Sequence, residues 1–218
     1  MDAILNVWKP IGWTSFDVVK KIKGYVNPSK VGHAGTLDPF AEGVLIVCVG
    51  KMTKRVESLM DHKKEYIATI QLGSETDTLD IEGKVIKVAK TPSLFEKKII
   101  NVLNTFLGES NQIPPMYSAL KVNGERLYKL ARQGKVIERQ PRMITISEIE
   151  LLEYDKDSIK IRVQCSRGTY IRVLASDIAN TMNTVGFLKS LIRTQVGEYK
   201  QKDAMTIESV VEWLSATA

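Results

Sequence analysis

The stretch Gly32-His33-Ala34-Gly35-Thr36-Leu37-Asp38-Pro39-Phe40-Ala41-Glu42-Gly43-Val44-Leu45, continued by Ile46-Val47-Cys48-Val49-Gly50, decides how this chain folds. Val44 to Gly50 is a continuous apolar run, too short to cross a membrane, and reads as a strand buried on both faces. Directly before it, three glycines, a proline, a histidine and an aspartate form a loop. That composition lets backbone approach a ligand closely. Pro39 holds Asp38 extended, because proline disfavours the helical region for the residue before it. Asp38 fits two uses: an ordinary turn aspartate, or an ionised and aimed carboxylate, which requires a cationic partner elsewhere in the chain. His33 is likewise either a hydrogen-bonded loop histidine or a residue turned toward a ligand.

Working outward, Ala3 to Trp8 reads as a strand. Ser15 can cap a helix with apolar positions Phe16, Val19, Ile22 and Val26. Lys51 to Met60 reads as helix. Glu65 to Leu72 alternates, with Tyr66, Ala68, Ile70 and Leu72 on one face, and Lys84 to Ala89 alternates again. Ser93 and Glu96 form a capping box for a helix with the stripe Phe95, Ile99, Val102, Leu103 and Phe106, ended by Gly108. Asn111 to Ser118, with Pro114-Pro115, is a loop. Asn123-Gly124 signals a turn, and Arg126 to Gln133 a short basic helix. Ile144 to Tyr154 and Ile159 to Cys165 alternate as paired strands. Ile171 to Met182 is helical, Leu191 to Tyr199 a strand, and Thr206 caps a last helix. Strands and helices mix without a strict βαβ rhythm, which predicts an α+β fold: a mixed, mostly antiparallel sheet flanked by helices in a single domain.

The 218 residues carry 31 Lys+Arg against 25 Asp+Glu, a net charge of +6. With 44% apolar and 26% charged residues the composition is that of a globular protein, which excludes a disordered tail, a collagen and a coiled-coil rod. The N-terminus has no basic n-region and does not read as a signal peptide. Two cysteines, Cys48 and Cys165, in apolar surroundings read as small buried hydrophobes in a reducing, cytoplasmic compartment. With two histidines and two cysteines in all, a zinc site of the usual kind is excluded. From Lys121 to Arg142 there are seven basic residues and two acidic ones, a net of +5 that nearly equals the whole-chain excess. Lys160 to Arg172 adds four cations and no acid, and Lys9 to Lys30 adds five cations against Asp17 alone. Each run alone is a solvated face; three together favour a polyanion such as RNA or DNA over a membrane surface. The acidic run Glu75, Asp77, Asp80 and Glu82 reads as a solvated loop between strands; as metal ligands these carboxylates would instead make a metal-dependent nuclease.

A second informative string is Cys165-Ser166-Arg167-Gly168-Thr169-Tyr170-Ile171-Arg172. If it is extended to its end, Tyr170 and Arg172 point to the same side. A ring beside a guanidinium suits a nucleobase and an anion; equally, Tyr170 packs on the core and Arg172 caps the preceding strands.

Together these strings resemble one family, the bacterial tRNA pseudouridine synthases of the TruB type. Trp8-Lys9-Pro10-Ile11-Gly12-Trp13-Thr14-Ser15 is similar to its KPxGxTS motif, and Gly32 to Leu45 matches GHxGTLDPxAxGVL at every fixed position. Lys64-Glu65-Tyr66 resembles its tyrosine-bearing strand and Leu72 to Thr78 its LGxxTDT. Ile113 to Lys121 resembles its PPxYSAxK segment, and Arg167 to Arg172 its RGTYIR. The likeness runs in order from about Leu5 to Thr206.

The resemblance implies the pseudouridine-synthase fold and the conversion of uridine-55 in the T arm of tRNA to pseudouridine by base flipping. It implies that Asp38 is the catalytic aspartate, attacking C6 of the uracil or C1′ of the ribose, or removing the C2′ proton. Arg172 would pair with Asp38 and orient it. Tyr66 would stack on the uracil and is a candidate to move a proton, Tyr170 and Leu191 would line the pocket, and His33 would fill the space the flipped base leaves. Lys9 and Pro10 would support the catalytic loop. Residues from about 109 to 142 would form a basic insertion that clamps the T arm, with Lys121, Arg126, Lys129, Arg132 and Arg142 on RNA; Arg162, Arg167, Lys189 and Arg193 are the fallback cations. No cofactor, metal, membrane or obligatory protein partner is expected, a monomer is expected, and the C-terminal PUA domain common in the family is not expected in this chain. The rival reading is a non-catalytic tRNA-binding or tRNA-folding protein on the same fold.

Overall fold

The computed structural model describes residues 1–26, 28–122 and 124–216. In chain order the elements are β1 (Ala3–Lys9), α1 (Ser15–Lys23), β2 (Val31–His33), β3 (Glu42–Val49), a 3-10 turn at Gly50–Arg55 running into α2 (Val56–Met60), β4 (Lys64–Leu72), β5 (Ser74–Thr76), β6 (Val85–Val88) and α3 (Glu96–Asn104). There follow β7 (Gly108–Gln112), β8 (Lys121–Val122), β9 (Glu125–Arg126), α4 (Leu127–Arg132), β10 (Arg142–Tyr154), β11 (Ser158–Cys165), α5 (Ile171–Thr181), β12 (Gly186–Val196), β13 (Tyr199–Lys200) and α6 (Ile207–Ala216). The strands make a mixed, mostly antiparallel sheet flanked by helices, as the α+β reading expects.

The chain forms two compact units, Met1–Ile67 with Leu191–Ala218, and Ala68–Ser190. In the first, β3 is the central strand. β1 runs antiparallel to it from Ala3↔Val49 to Lys9↔Gly43, β2 pairs with its end, and β12 joins it in parallel at Arg193↔Gly43. Every residue of β3 after Glu42 is buried, which is why it reads as an unbroken apolar run. On one side β1 and β3 bury Leu5, Val7, Leu45 and Val47 against α1 and α6. On the other, Val44, Ile46 and Cys48 pack with Ala34, Leu59 and Val196. In β4 burial alternates without exception, and Tyr66, Ala68, Ile70 and Leu72 share the inward face as the alternation predicts. Cys48 and Cys165 are both buried free thiols.

In the second unit β10 pairs antiparallel with β11 and, on its other edge, with β7. Helix α3 packs on β10 and α5. The β7 pairing corrects the boundary of the basic insertion: Glu109 to Gln112 are ladder residues, and Arg142 opposes Gln112. The excursion outside the ladder is residues 113–141.

Several local expectations also change. Thr14, not Ser15, caps α1, in a reciprocal box with Asp17. Phe16 faces solvent while Val18 takes the buried position, because the first helical turn is set by that cap. The N-cap of α3 is Phe95, with no side-chain cap bond, so the Ser93–Glu96 box does not form. Lys51 to Met60 is split between 3-10 and α geometry. Of the Asn123-Gly124 turn signal, Asn123 lies outside the described residues; Gly124 has φ +85.

Candidate active site

The site is assembled from backbone that buried polar side chains hold in place. In the first unit, β2 ends at His33 and β3 begins at Glu42; the intervening loop carries Asp38, which is half-buried. Three side chains from three elements grip this loop. Lys9, at the end of β1, is fully buried and its Nζ donates to the carbonyls of Pro10 (2.9 Å), Trp13 (2.6 Å) and Pro39 (3.4 Å). Ser15, at the start of α1, both accepts from Leu37 N (2.8 Å) and donates to Leu37 O (3.1 Å) through Oγ. Arg193, on β12, is 1% exposed, and its guanidinium donates to Val44 O (2.7 Å), Thr36 O (3.3 Å) and Gly35 O (3.1 Å). Gly12 N adds a bond to Pro39 O at 2.8 Å. Residues 35, 36, 37 and 39 are therefore all tied, and the loop offers its aspartate from a rigid frame. Buried cations are tolerated here because their donors are met by backbone carbonyls.

The loop's glycines follow from this arrangement. Gly43 lies opposite Arg193 with φ +123, and a Cβ there would fall 2.3 Å from Arg193 O. Only glycine allows the parallel strands to meet at this point. Burial pulls the His33 pKa below the ordinary 6.5, the nearby Arg193 guanidinium pulls it further, and a hydrogen bond with the Gly35 backbone acts in the opposite direction. The His33 Nδ1 is buried without a hydrogen-bond partner among the described residues.

Tyr66 on β4 is 8% exposed and Leu191 on β12 is 6% exposed, so both face inward in this unit. Arg193 lies two residues beyond Leu191 and shares its face of the strand. The sequence reading placed Arg193 among fallback RNA cations; its burial corrects that. The signal that could have found it is this two-residue spacing from an inward leucine.

In the second unit, Tyr170 is the N-cap residue of α5 and Arg172 lies in its first turn, so the string is not extended through Arg172 as one reading required. The buried Gln112 side chain fixes Tyr170 by accepting from its N (2.8 Å) and donating to its O (3.1 Å). Arg172 is 5% exposed; it pairs with the Asp80 carboxylate at 3.1 Å and donates to Thr78 O (3.0 Å) and Tyr117 O (2.7 Å). Asp80 is 4% exposed and also accepts from Thr78 Oγ1 (2.6 Å) and Glu82 N (3.1 Å). The solvated-loop reading of Glu75 to Glu82 is thus wrong for Asp80, which anchors a tight turn containing Leu79 at φ 63. Asp77 Oδ1 accepts from Lys84 N. Among the described residues no group of three or more His, Cys, Asp or Glu is placed to hold a metal ion.

In the excursion, Leu127 and Leu130 are buried and fasten α4, whose other positions Lys129 and Arg132 are exposed, as are Lys121, Arg126 and Arg142. The guanidinium carbons of Arg126 and Arg132 lie 5.9 and 5.6 Å from the centroid of the Tyr128 ring, which gathers cations on one surface. Arg139 differs: its guanidinium donates to Pro114 O and Ile137 O at 3.1 Å and braces the excursion from within.

Comparison with known proteins identifies the family. The family model described as TruB family pseudouridylate synthase (N terminal domain) matches residues 23–171. The chain is 48% identical over 217 residues to a protein of Phocaeicola vulgatus named tRNA pseudouridine synthase B, covering 97% of this chain and 92% of that one. It is 49% identical over 212 residues to a Clostridium acetobutylicum protein of the same name, covering 97% and 73%. Among solved structures, a chain of a Cbf5–Nop10–Gar1 complex superposes with a TM-score of 0.75 at 32% identity, over 96% of this chain and 54% of that chain. A matched fold, a match over most of the chain and near-half identity to several relatives place this chain in the TruB family of pseudouridylate synthases.

Proposed function

We propose that the protein isomerises uridine-55 in the T arm of tRNA to pseudouridine, acting as a single chain with Asp38 as its catalytic carboxylate. The relatives' shared name supports tRNA as substrate. The observation that carries the catalytic assignment is the frame around Asp38: buried Lys9, Ser15 and Arg193 bond the backbone on both sides of it. Such preorganisation is what a carboxylate needs to act on a substrate held a few ångströms away.

In this reaction the N1–C1′ bond breaks and a C5–C1′ bond forms. The hydrogen leaves C5 for solvent and N1 gains a proton, so atoms balance and no electron acceptor is involved. The uridine must leave the stack, which costs a few kcal/mol; stacking on an aromatic ring offsets about 1–3 kcal/mol of it. Tyr66 is assigned that stacking, with Leu191 beside it in the first unit; Tyr170 and Arg172 are assigned roles in substrate binding. His33 is assigned to fill the gap that the flipped base leaves in the T loop.

Attack at C6, attack at C1′ and removal of the C2′ proton all begin at a carboxylate oxygen. Asp38→Asn therefore abolishes release of tritium from 5-tritiated uridine in a T stem-loop, while binding of that RNA persists. Turnover near the wild-type rate in this variant excludes Asp38 from the role; retained RNA binding by a wild-type protein that never releases tritium would show a binding protein instead.

A further inference from the structure

Helix α1 presents to solvent a face that the chemistry above does not use. Along it runs a groove of about 700 Å³ whose walls include Trp13, Lys20, Lys21 and Tyr25, with Gly12 and Gly24 contributing bare backbone. Lys20, Lys21 and Tyr25 are exposed, and the Lys21 ammonium lies 5.8 Å from the centroid of the Tyr25 ring. The one acid in the groove, Asp17, is committed to the helix cap, where its carboxylate accepts from Thr14 N (2.8 Å) and Thr14 Oγ1 (2.6 Å). Asp17 keeps its negative charge near Lys20, and Glu208 on α6 lies near Lys21, so the face is cationic by count, with Lys20, Lys21 and Lys23 against these two acids. Exposed Phe16 and Ile11 lie beside it in the chain.

Cations spaced along an open groove with aromatic faces among them fit a single-stranded nucleic acid: phosphates go to the ammonium groups and a base to a ring. We propose that this groove binds unpaired nucleotides of the tRNA that lie outside the reacting T stem-loop, with Lys20 and Lys21 on phosphates and Tyr25 stacked on a base. The proposal rests on the reading of the substrate as tRNA. The groove's floor is also functional backbone, since Gly12 N bonds Pro39 O and Trp13 O accepts from Lys9. An RNA segment seated here is held against the frame of the catalytic loop.

The test compares full-length unmodified tRNA with the isolated T stem-loop, titrated over a range of salt against wild type, K20E/K21E, Tyr25→Ala and Tyr25→Phe. For K20E/K21E the Kd for tRNA rises about tenfold or more, and the log–log salt slope falls by roughly 1.4 units for two phosphate contacts on a single strand. Tyr25→Ala weakens tRNA binding about fivefold or more with the slope unchanged, and Tyr25→Phe restores it. Stem-loop affinity and single-turnover conversion stay within about twofold in all three, which also shows that they fold. Unchanged tRNA affinity and slope in both K20E/K21E and Tyr25→Ala overturn the proposal. So does an equal loss for stem-loop and tRNA, because the groove would then belong to the stem-loop site. A wild type that converts neither RNA instead overturns the function proposed above, while the groove's RNA binding is read independently of turnover.

Discussion

Two buried arginines show what single side chains do here. Arg172 uses a planar fork to reach Asp80 and two carbonyls from separate loops, and Arg193 reaches three carbonyls around the Asp38 loop. A lysine is a point charge on a flexible stem and cannot span either set. Arg172→Lys is expected to lose at least about 100-fold in kcat/KM, equivalent to roughly 2.7 kcal/mol, with a lowered melting temperature; near-native turnover in this variant would show that the guanidinium fork is not needed for the reaction. His33 gives a pH signature. Its folded pKa lies below the ordinary 6.5, chiefly through burial. As pH falls through about 6.5 the unfolded chain takes up a proton that the folded chain refuses, so His33's share of stability is full above that pH and declines below it. Urea unfolding at stepped pH should show that decline in wild type, at up to about 1.4 kcal/mol per pH unit, and a flatter profile in His33→Gln. The loop that carries Asp38 was legible in the sequence because its glycines and Pro39 stand directly before an apolar run. Arg193 was not, because nothing between Ile192 and Thr194 reveals that its partners are carbonyls some 150 residues away. Asp80 was misread for the same reason: its partner Arg172 is 92 positions along the chain, and local composition is that of a turn.

At the scale of elements, legibility tracked how local the cause was. The strict alternation of β4 and the unbroken run of β3 report burial directly, and both were read correctly from sequence. Helix ends were read less well, because Thr14 and Ser15 are both capping residues and the choice depends on Ser15 being recruited to Leu37. The boundary of the basic insertion was missed because β7 is polar, Gly-Glu-Ser-Asn-Gln, with its first four residues exposed. Such a strand has no apolar pattern to announce it; its ladder to β10 supplies the pairing. The meeting of β3 and β12 is the element-level feature most open to test. Gly43 sits opposite Arg193 at a φ that strains any side chain, with no room for a Cβ. Gly43→Ala is expected to cost about 3 kcal/mol or more and to disturb Arg193's grip on Thr36 and Gly35. Denaturant midpoints measure the first effect and tritium release the second; an alanine variant of unchanged stability would show that the parallel pair can separate freely.

Across the whole molecule the net charge of +6 is uneven, and its distribution argues more than its sum. The excursion at residues 113–141 concentrates cations on a short helix fastened by Leu127 and Leu130, with Arg126 and Arg132 drawn over Tyr128. These side chains are exposed and, unlike Arg139, point away from the backbone that organises the excursion. Reversing Arg126, Lys129 and Arg132 to Glu should therefore leave the fold intact and remove three phosphate contacts. Because each contact releases counterions, the log–log slope of stem-loop affinity against salt should fall by roughly 2–3 units. Binding at low salt should weaken far more than binding at high salt. The conversion rate at saturating RNA should change little, since phosphate contacts position the RNA without touching the uracil. This distinguishes the excursion from the α1 groove, whose loss is expected to affect tRNA and spare the stem-loop. An unchanged slope in the triple variant would mean that the excursion's cations are solvated surface. The clamp would then fall to other exposed cations such as Arg162, Arg167 and Lys189; Arg193, being buried, is excluded.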